Sequence, residues 1–185
     1  MAAAQYMDVG KYLSESWNIT LKNMVVMVVA SLIAMLFSLV TIGILSVPLW
    51  VGVTAMYIAA KKGKKPEIPH VFNHLSRTLP LLGAGLLLLV VVSAGMLLIV
   101  PGLIFAAWWM YTFPLIAFKG MKVFEAMRKS REIVRAKGTW MHVLFLVIVW
   151  IIGAVGAVVF RIGWILTMPI AVGALAMAYM DECTG

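Results

Sequence analysis

Few residues in this sequence have catalytic or metal-binding chemistry. His70 and His74 are four residues apart, so one face of a helix could present both imidazoles to a metal ion. A protein metal site usually has three or four ligands. No further histidine or cysteine lies nearby, because the single cysteine, Cys183, is third from the end. We therefore expect neither a bound metal nor another cofactor.

Serine and histidine side chains raise the question of a membrane-embedded hydrolase. Ser14, Ser16 and Ser130 could act as nucleophiles only beside a positioned base. The sequence has no nucleophile-elbow motif and no Ser–His–acid pattern. His142 could relay protons, but it lies near the boundary of an apolar segment, where an interfacial histidine is the simpler interpretation. We expect no enzymatic activity, and an activity lost in Ser130→Ala or His142→Ala would establish the hydrolase alternative.

Long apolar segments assign the chain to the membrane. The mean hydropathy is +1.05, and 12% of the residues are charged. A single helical crossing takes about 20 apolar residues. Three segments contain one charged residue between them (Arg161), and they are residues 24–60, 79–118 and 140–180. Each segment is long enough for two crossings, so we predict an all-α integral membrane protein with six transmembrane helices.

The six predicted helices form three hairpins, whose turns are expected near residues 42–43, 100–102 and 161–163. Of the 15 Lys and Arg residues, all except Arg161 lie in 1–23, 61–78 and 119–139, on one side of this arrangement. Basic loops stay in the cytoplasm. Both termini are therefore expected in the cytoplasm, in the inner membrane of a prokaryote. The net charge of +8 has the same explanation and does not indicate nucleic acid.

Three short segments share a pattern that predicts an internal repeat. They read VGKYLSES from Val9, VFNHLSRT from Val71 and VFEAMRKS from Val123. Each has Val first, Leu or Met four positions later and Ser or Thr seven positions later. Positions i, i+4 and i+7 share one face of a helix. Each segment therefore predicts an amphipathic helix that lies in the membrane interface and precedes a hairpin.

A second motif links the first and third units of this repeat. PLWVGVTAM from Pro48 matches PIAVGALAM from Pro169 at Pro, Val, Gly, Ala and Met. In the second unit either Pro101 or Pro114 could correspond to Pro48. The chain is expected to be one membrane domain, residues 1–185, with units at about 9–60, 71–118 and 123–180.

The third amphipathic segment shows its two faces most clearly. On a helical wheel one stripe is mainly apolar, and it comprises Val123, Phe124, Met127, Ser130 and Val134. Arg131 falls between Phe124 and Met127 on this side, so its charge needs a partner. A lipid phosphate, a carbonyl at a helix C-terminus or Glu15 could serve. We expect an intramolecular contact first and a phosphate second.

The segment PGLIFAAWWMYTFPLIAF, followed by EAMRKSREIVRAKGTW, resembles a broad group of prokaryotic six-helix membrane proteins. This group includes the membrane domain attached to some glycerophosphodiester phosphodiesterases, together with related uncharacterised families. The matching positions are Pro101, Gly102, Ala126, Ser130, Ile133, Arg135, Gly138 and Trp140. The resemblance implies six membrane helices, with Pro-Gly opening the fourth. No soluble catalytic domain follows Gly185, so the hydrolytic activity of the fused relatives is not expected here.

Basic residues could bind lipid headgroups beside the membrane. Each Lys or Arg near an anionic surface gains about 1 kcal/mol. The predicted headgroup-binding residues are Lys61, Lys62, Lys64, Lys65, Arg128, Arg131 and Arg135. The alternative is that these residues only enforce topology.

Three aromatic residues lie unusually deep in the predicted fourth helix. Trp108, Trp109 and Tyr111 could line a pocket for a hydrophobic ligand. Packing of these rings against glycine-rich helices is the commoner role. Both interpretations fit the sequence.

These observations favour a non-enzymatic, lipid-interacting membrane protein or an accessory subunit of a membrane complex. The alternative is a passive channel or permease, because three hairpins around a pseudo-threefold axis could leave a central path. Membrane phospholipids are the expected partners, and other membrane subunits or further copies of the chain are alternatives.

Overall fold

The structure is a computed structural model that describes residues 7–159 and 163–184. This part of the chain contains helices and no strand, which confirms the predicted all-α class. Its helices are α1 Val9–Lys22, α2 Met24–Val40, α3 Ser46–Lys61, α4 Thr78–Met96, α5 Val100–Trp108, α6 Thr112–Lys119, α7 Val123–Lys137, α8 Thr139–Val159 and α9 Gly163–Cys183. Two short 3-10 helices, Ile68–Phe72 and Leu75–Arg77, form a segment before α4 that we call the 3-10 segment.

Successive helices pack in three pairs, α2 with α3, α4 with α5, and α8 with α9. The first connection contains Ile42 and Gly43, both with positive φ, where a turn was predicted. The second connection is residues 97–99, so the turn predicted at 100–102 was placed too late. Pro101 instead lies in the first turn of α5, where its missing N–H has no helical partner to lose. Of the third predicted turn, residues 161 and 162 lie outside the described residues.

Two stretches are long and apolar enough to cross a membrane, Ile68–Met96 and Val100–Lys119. Two bent pairs, α1 with α2 and α7 with the described part of α8, would bring the number to four. The described residues therefore do not confirm six crossings. One reason is the length of α3, since its 16 residues span only about 24 Å at 1.5 Å per residue, against a hydrocarbon core of about 30 Å.

The amphipathic helices of the first and third units meet the next helix at similar angles. The chain bends by 100° between α1 and α2 and by 103° between α7 and α8. At the second bend Gly138 has a φ of +104°, a conformation that side chains with a Cβ rarely adopt. The second unit differs, because the helix predicted from Val71 is replaced by the 3-10 segment.

Each of these three elements packs against the second helix of another pair. α1 packs on α9, the 3-10 segment on α3, and α7 on α5. Ser16 donates a hydrogen bond of 2.7 Å to the carbonyl of Ile170, and Ser130 donates one of 2.7 Å to the carbonyl of Trp108. The same contact thus recurs in the first and third units, at the serines that the sequence repeat aligned.

Glycines allow two of these crossings to be close. A Cβ on Gly52 would overlap the backbone of Val71, and a Cβ on Gly173 would overlap the side chains of Ser16 and Tyr57. These glycines are the residues that the matching motifs from Pro48 and Pro169 share. Their common role is close helix contact.

Candidate functional site

The site begins at a break in the helix formed by α5 and α6. Pro114 lies in the first turn of α6 and has no N–H to donate to the preceding turn. The amide of Thr112 donates its hydrogen bond to the carbonyl of Trp109. The carbonyl of Trp108, which would accept this amide in a regular α-helix, is therefore left without a backbone donor. The hydroxyl of Ser130 occupies this gap, since it donates to the carbonyl of Trp108 at 2.7 Å and accepts from the amide of Tyr111 at 3.2 Å. One buried side chain therefore satisfies two backbone groups.

Two arginines of α7 share the ring of Trp108. The guanidinium carbon of Arg131 lies 4.4 Å from the ring centroid, and that of Arg135 lies 5.8 Å away. Both side chains are exposed. Neither forms an ion pair or hydrogen bond within the described residues. Within the protein, Arg131 thus contacts the indole, an intramolecular contact as expected, but with neither Glu15 nor a helix-end carbonyl as the partner.

The indole of Trp108 also connects α5 to the start of α8. Its Nε1 donates to the Oγ1 of Thr139 at 3.2 Å. Thr139, Leu146 and Gly153 follow one another at intervals of seven, so they lie on the same side of α8. Leu146 and Gly153 line a cavity between α5, α8 and α9. Thr139 lies seven residues before Leu146, about 10.5 Å along the axis of α8, so its contact with Trp108 lies outside the lining of this cavity.

The cleft has a volume of about 610 Å³, within the usual range for ligand sites of about 300–1,000 Å³. Leu103 and Ala106 form its wall on α5, and Trp150 lies on α8. All of its lining residues are apolar. The candidate site therefore has two parts, this apolar cavity and the arginine pair on Trp108, which is not part of the cavity lining.

The structure separates the three aromatic residues that were predicted to line one pocket. Trp108 lies under the two arginines, whereas Trp109 lines a second apolar cavity of about 570 Å³ between α4 and the α5–α6 helix. Tyr111 is buried, and its ring centroid is 5.8 Å from that of His142.

The lysines predicted to bind headgroups lie at and just beyond the end of α3, where all four are exposed. Lys61 forms an ion pair with Glu15 of α1, which removes that carboxylate as a partner for Arg131. Lys62, Lys64 and Lys65 form no ion pair with the described residues. Arg128 is exposed on α7 and likewise has no ion pair there.

The basic residues consequently divide into two groups. The first group binds carboxylates or the carbonyls at helix ends, and comprises Lys11, Lys61, Arg77, Lys119, Lys129 and Lys137. The second group has no ion pair or hydrogen bond within the described residues, and comprises Lys22, Lys62, Lys64, Lys65, Lys122, Arg128, Arg131 and Arg135. The second group contains every predicted headgroup-binding residue except Lys61.

A polar cluster at the end of α9 was not predicted. The hydroxyl of Tyr12 lies 2.8 Å from Asp181 and 3.0 Å from Glu182. Lys11 pairs with Asp181 at 3.2 Å, and Lys137 pairs with Glu182 at 3.0 Å. Burial, together with the two carboxylates, raises the pKa of Tyr12 well above its ordinary value. Tyr12 therefore remains a protonated donor, and the cluster holds α1 and α7 to α9.

Several buried polar atoms near the centre have no hydrogen-bond partner among the described residues. They are the Oγ of Ser31, the hydroxyl of Tyr111, the Oγ1 of Thr112 and the Nε2 of His142. The other imidazole nitrogen of His142 lies 2.9 Å from the carbonyl of Gly138, at the bend between α7 and α8. His142 is therefore buried, although the sequence favoured an interfacial position.

His70 and His74 interact separately with their surroundings. The Nδ1 of His70 lies 3.1 Å from the carbonyl of Glu67, and the ring of His74 packs against Phe118. Within the described residues no group of three His, Cys, Asp or Glu side chains could hold a metal ion.

Comparisons of the chain with family models, curated proteins and solved structures found no match. The site must therefore be interpreted from its own geometry.

Proposed function

We propose that the chain is a non-enzymatic integral membrane protein that interacts with anionic phospholipid. The contact is made by its basic end, which comprises α7 and the lysines that follow α3. The observation that carries this proposal is the division of the basic residues. Eight of them remain without an ion pair or hydrogen bond in the described structure. They are concentrated on α7 and after α3, beside helices with exposed apolar faces. Anionic headgroups above hydrocarbon match this combination.

Six crossings with a cytoplasmic basic end remain part of the proposal. In support, the described connections at the opposite end are apolar, with Ile42 92% exposed and Leu97 85% exposed. Charged residues lie at the ends of α3, α6 and α9, namely Lys61, Lys119, Asp181 and Glu182, whereas residues 41–45 and 97–99 contain no charge. A basic end beside an uncharged end is the pattern that retains loops in the cytoplasm.

The two amphipathic helices are proposed to lie in the cytoplasmic interface. Their bends of 100° and 103° relative to α2 and α8 would place them across the helix direction. Exposed aromatic rings accompany both, because Trp17 is 51% exposed, Phe124 77% and Trp140 68%. Within the mainly apolar stripe of α7, Phe124 is exposed whereas Met127, Ser130 and Val134 are buried, and its position suits contact with headgroups.

The proposal can be tested by isolating the protein under mild extraction and identifying its lipids. Native mass spectrometry should find retained phosphatidylglycerol or another anionic phospholipid in preference to phosphatidylcholine, at several molecules per chain. Replacement of Lys62, Lys64 and Lys65 by Gln should reduce this number, whereas replacement of the exposed but ion-paired Lys129 should not. Equal retention of anionic and neutral lipid would contradict the proposal. Co-purified membrane proteins would instead identify an accessory subunit.

A passive channel is the second candidate, because four buried polar atoms have no partner within the described residues. Such groups could contact water or a permeating solute. Purified protein in liposomes should then show steady ion or solute flux. Flux that disappears in Thr112→Val, with the fold retained, would favour the channel over the lipid-interacting function.

A further inference from the structure

We propose that the cleft between α5, α8 and α9 binds one anionic glycerophospholipid, with its phosphate on Arg131 and Arg135 and an acyl chain in the cavity. This inference rests on the proposed lipid-interacting function and adds a defined site and ligand class.

The charge of the arginine pair favours an anion. Arg131 and Arg135 are four residues apart on α7 and lie over the same indole, so their like charges repel. Neither has a carboxylate partner within the described residues. The guanidinium group matches the oxygens of a phosphate in shape and charge. Stacking on Trp108 orders both side chains before the ligand binds.

Helices α5 and α8 connect the arginine pair to the cavity, although neither arginine lines it. Ala106 and Leu103 on its wall precede Trp108 by two and five residues, which is about 3 and 7.5 Å along the axis of α5 but on a different face of that helix. On α8 the stripe from Thr139 leads to Leu146 and Gly153. One ligand could therefore contact the arginines and the cavity together.

The chemistry of the wall selects a lipid over free phosphate. The lining residues of the cavity are all apolar, and the indole N–H of Trp150 is the one side-chain hydrogen-bond donor among them. An acyl chain fits this surface, and its diester phosphate supplies the negative charge. A zwitterionic lipid such as phosphatidylcholine carries an additional positive charge near the two arginines, which disfavours it.

The headgroup contact can be tested with the purified full chain in detergent and dihexanoyl phosphatidylglycerol as the probe. R131Q/R135Q should weaken binding roughly tenfold or more, because hydrogen bonds to charged groups are lost. K129Q is the matched control, since Lys129 is exposed on the same helix, pairs with Glu132 and does not stack on Trp108. Its affinity should stay within about twofold of the wild type. Dihexanoyl phosphatidylcholine should bind more weakly than the anionic probe.

The acyl-chain contact has an independent test in two glycines. A Cβ added to Gly153 or to Gly83 meets nothing within 4 Å, so neither position resists a larger side chain at its Cβ. Gly153 lines the cleft and Gly83 does not. G153L should fill the cavity and weaken binding of the probe roughly tenfold, whereas G83L should leave it unchanged.

The outcomes separate the site from the proposed function. Wild-type affinity in a folded R131Q/R135Q would overturn the site, and the lipid-interacting function would stand if the wild type still binds the probe. A wild type that binds no lipid would overturn both. If inorganic phosphate displaces the probe and G153L does not change its affinity, the arginines bind free phosphate. That result would overturn the assignment of a phospholipid as the ligand. If R131Q/R135Q does not fold, the comparison of G153L with G83L tests the site. Equal affinity of these two variants for the probe would then overturn it.

Discussion

Ser16 and Ser130 make the same contact in two parts of the molecule, because each donates a 2.7 Å hydrogen bond to a backbone carbonyl of the helix that it crosses. The acceptors are Ile170 and Trp108. If the two contacts are superimposed, Trp108 corresponds to Ile170, and Ala107 therefore corresponds to Pro169. Neither Pro101 nor Pro114 therefore occupies the position of Pro48 in the second unit.

Ser130→Ala should destabilise the protein more than Ser16→Ala. Ser130 satisfies both a donor and an acceptor at the α5–α6 break, and burial leaves both without water when the hydroxyl is removed. The expected cost is about 2–4 kcal/mol for Ser130→Ala and about 1 kcal/mol for Ser16→Ala. The measurement is the free energy of unfolding in detergent. Ser14→Ala is the control, since Ser14 is exposed and bonds only within α1. Similar losses at Ser14 and Ser130 would contradict the role of the break.

Replacement of two helix glycines by alanine should change the stability of the protein in opposite directions. Gly52→Ala should destabilise by about 1–3 kcal/mol, because the new Cβ would overlap the backbone of Val71, which cannot move like a flexible side chain. Gly83→Ala should be neutral or stabilise by up to about 1 kcal/mol, since its Cβ meets nothing and alanine favours the helix. Thermal unfolding of both variants in one detergent makes the comparison. A stabilising Gly52→Ala would show that α3 and the 3-10 segment are not in close contact.

The sequence predicted the features that depend on local pattern. Hydropathy located the apolar segments, and positions i, i+4 and i+7 predicted the amphipathic helices α1 and α7. In the second unit Pro66 and Pro69 lie just before the aligned segment, and 3-10 turns form there instead of a helix. The repeat pattern compares only three positions, so it does not include the effect of these two prolines.

The contacts of the site could not be predicted, because they depend on which helices cross. The helical wheel places Arg131 on the mainly apolar side of α7, but no local signal pairs it with Trp108. Glu182 is a second example, because its side chain is only 2% exposed beside Lys137 although it lies near the end of the sequence. An acidic pair directly after an apolar helix, in a chain rich in lysine, was the available signal for that cluster.

Replacement of Lys137 should reduce the stability of the protein more than neutralisation of its partner, Glu182. Lys137→Met leaves the buried carboxylate of Glu182 without its ion pair, and we expect a loss of about 2–4 kcal/mol. Glu182→Gln removes the charge and can still accept from Tyr12, so it should cost about 1 kcal/mol. Lys129→Met is the matched control, because its pair with Glu132 is exposed and contributes less than about 1 kcal/mol. Unfolding in denaturant measures all three. If Lys137→Met matches the control, the cluster does not hold α7 to α9.

The proposed six crossings predict which residues can be labelled from outside the cell. In a chain with Cys183 replaced by Ser, Leu97→Cys should react with a membrane-impermeant maleimide in intact cells, since Leu97 is 85% exposed in the connection between α4 and α5. Lys62→Cys in the same background should react only after the membrane is permeabilised, because this exposed residue follows the basic end of α3. Labelling both before and after permeabilisation controls for the intrinsic reactivity of each thiol. Reaction of the Lys62→Cys chain in intact cells would place the basic end outside and exclude the proposed contact with cytoplasmic anionic lipid.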